Sequence, residues 1–137
     1  MSNFKRLSHS VWYCTYHIVI CPKYRYRVLT GKTEMFVRNQ LYQLAHQKNG
    51  MVIEEVNIQV DHVHLIISLP PKYSVSNIMG YLKGKIAIKL FSHQRELTKL
   101  YWGKHFWSRG YCVSTVGLNE TQIKKYVKWQ QDRDQKG

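Results

Sequence analysis

The sequence predicts an α+β sandwich, and three observations predict it: one long segment apolar on both alternating faces, two back-to-back segments alternating with period two, and two stretches of helical periodicity between the strand segments. Val11 to Cys21 is rich in aromatic and β-branched residues, as a central strand is, and Pro22 closes it. After the basic stretch Lys23 to Arg27, residues Phe36, Val37, Leu41, Leu44 and Ala45 fall on one helical stripe, giving a first helix over about 33–49. Gly50 stands where a helix end wants a left-handed residue.

Met51 to Val60 and His62 to Leu69 alternate as two further strands, until Pro70-Pro71 ends the second. Ser74 to Arg95 places Val75, Ile78, Met79, Leu82, Ile86 and Leu90 at helical spacing, with Lys83, Lys85 and Lys89 outside that stripe. Phe106–Ser108 and Tyr111–Val116 read as short strands around Gly110. Asn119-Glu120-Thr121-Gln122 has the spacing of a capping box and opens a last helix to about Arg133. The order strand, helix, strand, strand, helix, strand, helix is that of the RNA-recognition or ferredoxin-like sandwich: a central antiparallel sheet with helices on one face, plus a C-terminal helix.

With 137 residues, no repeat and no Pro/Gly-rich linker, the chain is expected to form a single domain over 1–137. Twenty-one Lys and Arg against eight Asp and Glu give a net charge of +13, which implies an anionic partner. No apolar run approaches the roughly 18 residues of a membrane span, and the polar N-terminus does not read as an export signal, so a cytoplasmic, nucleoid-associated location is expected. Three cysteines without a Cys-x-x-Cys pair suit neither a disulfide framework nor a zinc knuckle. Ten tyrosines and four tryptophans on so basic a chain suit single-stranded nucleic acid, whose unpaired bases stack on aromatic rings.

The chemistry concentrates in two places. Along a strand His62 and His64 project together while Asp61, Val63 and Leu65 project away. A lone His-x-His is more often a pair of solvated sheet residues, so it needs a companion. On the last helix Tyr126 and Gln130 lie one turn apart and share a face with Ile123 and Val127, aiming them at the protein, while Lys124, Lys125 and Lys128 cover the other side. Taken alone, Tyr126 packing its ring and Gln130 capping a sheet edge is the plain explanation.

The sharper reading of the four side chains together is a metal site with an adjacent nucleophile. Two imidazoles and an amide oxygen leave positions open for phosphate oxygens and water; Mn²⁺ suits the set best and Mg²⁺ is tolerated. A tyrosine attacking phosphorus forms a covalent phosphotyrosyl link, so the bond is kept for transfer to a later hydroxyl. Two-metal hydrolysis wants clustered carboxylates, and the eight acidic residues are few and mostly at positions expected to be solvated.

These residues resemble the HUH-type single-tyrosine (Y1) transposases of small bacterial and archaeal insertion sequences that move as single-stranded DNA. The likeness runs through Tyr16-His17-Ile18-Val19, Lys23-Tyr24-Arg25, Asp61-His62-Val63-His64-Leu65, Leu82-Lys83-Gly84, Trp102-Gly103, Phe106-Trp107-Ser108, Tyr111 and Thr115-Val116-Gly117 to Tyr126 and Gln130. The resemblance implies that His62, His64 and Gln130 ligate Mg²⁺ or Mn²⁺ and that Tyr126 forms a 5′-phosphotyrosine intermediate. It also implies a homodimer and recognition of subterminal DNA hairpins. Lys23, Arg25, Arg27, Lys83, Lys85 and Arg109 are the candidate contacts to the DNA backbone. Two alternatives stand beside this expectation. One is the same chemistry acting on host repeated palindromes, although the typical extra C-terminal tail of those relatives is not seen; the other is a non-catalytic single-strand-binding module of the same sandwich shape.

Overall fold

The computed structural model describes the backbone of residues 5–7, 10–12, 14–103 and 105–116, with side chains from 14 onward. A short antiparallel hairpin, β1 (Lys5–Leu7) and β2 (Ser10–Trp12), precedes the main sheet. The sheet comprises β3 (Thr15–Ile20), β4 (Val52–Gln59), β5 (His62–Ser68) and β6 (Cys112–Thr115), all antiparallel, in the order β4-β5-β3-β6. Helix α1 (Gly31–His46) joins β3 to β4, and α2 (Val75–His93) with the short α3 (Arg95–Leu100) joins β5 to β6. This is the predicted ferredoxin-like order, with the first and third strands of the motif paired at the centre.

The helices lie on one face, because each carries one apolar stripe. Val37, Leu41, Leu44 and Ala45 of α1 and Ile78, Met79, Leu82, Ile86 and Leu90 of α2 share one core with Ile18, Ile20, Val56, Ile58, Val63, Leu65 and Ile67 of the sheet. Burying each of the Val, Leu, Ile and Met side chains among them contributes about 1.5–3 kcal/mol. The helix ends are closed locally. Ser74 Oγ accepts from the Asn77 amide at 3.0 Å, and in the last turn of α1 the Leu44 carbonyl accepts from the Gln47 amide at 3.2 Å and from the Tyr81 hydroxyl at 3.0 Å. Gly50 adopts φ +86°, and a Cβ there would stand 2.6 Å from Pro70 Cγ, so backbone geometry and space both require glycine.

Three sequence expectations are corrected. The single strand over Val11–Cys21 is two elements, because the chain leaves one sheet after Trp12 and enters the other at Thr15, which lateral pairing decides and patterning does not. Phe106–Ser108 is not a strand: Trp107 makes an isolated bridge to Pro22, through the Lys23 amide to the Phe106 carbonyl at 2.7 Å and the Ser108 amide to the Cys21 carbonyl at 2.9 Å, and the pairing ends where the chain turns at Lys23–Arg25. The second helix stops at His93, where Gln94 turns to φ −130° and ψ 86°, and Arg95 starts a separate helix. Gln94 accepts a buried hydrogen bond from Thr33 Oγ1 at 2.6 Å, which fixes that break. No described helix is long and apolar enough to cross a membrane.

Candidate active site

The strand β5 is buried along both faces. Val63, Leu65 and Ile67 face the helices, while His62, His64, Ile66 and Ser68 occupy the opposite face at 5%, 4%, 1% and 0% exposure. Residues paired across antiparallel strands share a face, so Gln59 and Asn57 of β4 flank His62 and His64 respectively, and His17 of β3, paired with Ile66, lies diagonal to His64.

The two predicted metal-ligating histidines therefore converge as the alternation required. Their ring centroids are 4.7 Å apart, edge to face. His17, which sequence reasoning quoted but assigned no role, joins them: its ring stacks on His64 at 5.6 Å with 9° between planes, and its Nε2 is 3.3 Å from His64 Nδ1. Only strand pairing brings residues 47 apart into contact, and burial holds the His17 imidazole below its ordinary pKa.

Asp61 does not project away as expected. It lies in the turn between β4 and β5, where strand alternation does not apply, and its Oδ1 is 2.7 Å from His62 Nδ1. Its Oδ2 meets an Arg25 guanidinium nitrogen at 3.3 Å. Burial alone would push the Asp61 carboxyl up, but the His62 hydrogen bond and the Arg25 charge outweigh it and hold it below the usual range. A carboxylate only accepts, so the Asp61 contact places a proton on His62 Nδ1 and makes Nε2 the nitrogen that could ligate a metal.

This donor chemistry fits a metal ion: two buried imidazoles on one face, one of them oriented by a carboxylate that is itself oriented by an arginine. Among the described residues no three His, Cys, Asp or Glu side chains gather to hold an ion, so a complete set needs a further donor of another kind or from elsewhere. Tyr126 and Gln130, the predicted nucleophile and third ligand, lie outside the described residues. Glu54, expected at a solvated position, instead accepts from Ser68 Oγ at 2.9 Å, and Ser68 meets Thr15 at 2.9 Å on the same face.

Three of the six basic candidates converge elsewhere. Lys23, Lys83 and Arg109 line a cleft of about 300 Å³ with Gly84, Ala87 and the Phe106–Ser108 segment. Lys83 has a second duty, since its ammonium donates to the carbonyls of Ser108 at 2.9 Å and Gly110 at 2.7 Å, and burial lowers its pKa. Arg25 is engaged with Asp61, and Arg27 and Lys85 are exposed on the surface.

Known proteins share this chain's sequence pattern and fold. The sequence model of the family "Transposase IS200 like" (Y1) matches residues 10–130. The transposase for insertion sequence element IS200 of Salmonella typhimurium is 41% identical over 137 residues, spanning 100% of this chain and 90% of that protein. The ISDra2 transposase TnpA of Deinococcus radiodurans is 34% identical over 125 residues, 90% of this chain and 89% of that one. A crystal structure of a candidate transposase from Deinococcus radiodurans superposes with a TM-score of 0.75 at 30% identity, covering 92% of this chain and 97% of that one. A REP-associated tyrosine transposase solved bound to a REP hairpin shares the fold, with a TM-score of 0.59 at 15% identity over 91% of this chain and 68% of that one. A match over most of the chain, with relatives this similar along nearly their full length, places it in a family of DNA-processing enzymes: the chain belongs to the IS200-like transposases.

Proposed function

We propose that the protein cleaves and rejoins single-stranded DNA at the ends of an insertion sequence, with His62, His64 and Gln130 holding Mg²⁺ or Mn²⁺ and Tyr126 as nucleophile. The convergence of His62 and His64 on one buried face, with the Asp61–Arg25 pair orienting His62, carries this reading. The bound ion would polarise the scissile phosphate and offset charge developing on its oxygens. The Tyr126 oxygen attacks phosphorus in line, an O–P bond forms, the bond to the 3′ oxygen breaks, and that oxygen leaves as a hydroxyl. In the reverse sense a 3′-hydroxyl attacks the 5′-phosphotyrosine and releases the tyrosine, so no external energy source is required. An unperturbed tyrosine is ionised to only about one part in a thousand at neutral pH, and nearby positive charge favours its ionised form.

Recognition of a hairpin fits the basic cleft lined by Lys23, Lys83 and Arg109, where phosphates meet fixed positive charge. The protein would act as a homodimer at the nucleoid. Whole-length similarity to insertion-sequence transposases favours the mobile-element role over action on host palindromes, whose solved representative shares the fold at 15% identity. The test is a covalent adduct: with Mn²⁺ and a single-stranded hairpin from the DNA flanking its own coding region, the protein yields a species that survives denaturation, and EDTA abolishes it. An adduct that persists in Tyr126→Phe, or none on any flanking hairpin, sinks the assignment.

A further inference from the structure

Between the basic cleft and the histidine site the chain makes an unusual turn. Lys23–Arg25 forms a single 3-10 turn in which Tyr24 sits at φ 64° and ψ 9°, followed by Arg25 at φ 52°. Two consecutive non-glycine residues in the left-handed region are strained, and for a bulky residue such a φ is a genuine outlier. Strain of this kind persists only where the surroundings enforce it, and it concentrates at functional sites. Here the Arg25 amide donates to the Pro22 carbonyl at 2.9 Å, closing the turn on itself, and the Lys23 amide donates to the Phe106 carbonyl at 2.7 Å, tying the turn to a distant segment.

The strain serves no burial, because the Tyr24 ring is 67% exposed. It is nevertheless held. Tyr26 packs against it at 5.3 Å between centroids, Tyr26 rests on Tyr101 at 5.3 Å, and Tyr101 rests on Phe106, which is fully buried, at 5.4 Å. An aromatic chain thus runs from the core to the surface and ends on an exposed ring, with the Lys23 ammonium over it, 5.5 Å from its centre. On one side of Tyr24 stands Lys23, which lines the cleft; on the other stands Arg25, which grips the carboxylate that orients His62.

We propose that Tyr24 is a stacking platform for one unpaired base of the DNA strand that runs from the basic cleft to the His62–His64 site, an inference that rests on the single-strand reading above. A fixed, exposed ring beside a cation is the surface that binds unpaired nucleotides, with the base on the ring and its phosphate on the lysine. Because every base has a π-face, the contact positions the strand and carries little sequence preference.

The test uses Tyr126→Phe protein, so that no covalent adduct can form. Fluorescence anisotropy compares a labelled oligodeoxythymidine of about twelve nucleotides with an abasic chain of equal length, which keeps the phosphates and lacks the bases. The proposal expects the base-bearing strand to bind more tightly, Tyr24→Gly to reduce that preference by about tenfold, and Tyr24→Phe to retain it. Glycine accepts the left-handed backbone, and affinity for the abasic chain reports whether the variant is folded. An undiminished preference in Tyr24→Gly, or no preference in the parent protein, overturns the proposal. Failure of the adduct test with intact Tyr126 overturns the nucleophile assignment instead, so the two are separable.

Discussion

The Asp61 carboxylate offers the sharpest test of the proposed metal site. It takes a 2.7 Å hydrogen bond from His62 Nδ1 and lies 3.3 Å from Arg25, so its loss both frees the imidazole to rotate and lowers its basicity toward an ion on Nε2. A hydrogen bond to a charged group is worth about 1.5–3 kcal/mol, and at 24% side-chain exposure solvent screening favours the lower end. At about 1.4 kcal/mol per tenfold, Asp61→Asn, which keeps an acceptor but not the charge, should weaken Mn²⁺ binding about tenfold. Asp61→Ala, which keeps neither, should approach about a hundredfold. Calorimetric titration of Mn²⁺ into each protein reads this directly. Wild-type affinity in Asp61→Ala would refute the orienting role, and equal losses in Asn and Ala would show that charge, and not geometry, carries it.

Other outcomes follow from the same physics. Gly50→Ala should lower stability by about 1–3 kcal/mol in thermal unfolding, because a Cβ at φ +86° meets Pro70 Cγ at 2.6 Å. Lys83→Met should lower it by about 1–3 kcal/mol by leaving the Ser108 and Gly110 carbonyls without their donor. Burial sets the folded pKa of Lys83 below its unfolded value of about 10.4, so the unfolded chain binds more proton between the two, and stability rises with pH through that window. That rise, read from urea midpoints at successive alkaline pH values, should be absent from Lys83→Met. Lys23→Ala and Arg109→Ala should each flatten the slope of log affinity for single-stranded DNA against log salt by about 0.7. An unchanged slope would remove that residue from the DNA interface.

Much of the architecture was legible because it is written in local periodicity. Alternation over 52–59 and 62–68 and the apolar stripes of α1 and α2 are properties of consecutive residues, and the core they predict is the core observed. The same alternation put His62 and His64 on one face, and strand geometry alone brings such neighbours together. The motif series that resembled single-tyrosine transposases also reached the family that the comparisons show.

What depends on lateral pairing and on turns could not be read that way. His17 reaches His64 only because β3 pairs with β5 in one particular register, and a slip of one residue would have sent its ring into the core. Asp61 turns back onto His62 because a turn releases it from alternation, and Arg25 meets it only through a left-handed bend that composition does not announce. Lys83 looked like one more surface cation until the loop at Ser108 and Gly110 folded over it. The residue types and spacing determined by themselves that this chain carries a histidine pair on a basic ferredoxin-like sandwich. Tertiary structure decided which distant groups orient that pair, because those contacts join segments whose separation along the chain is set by the whole fold and by no local pattern.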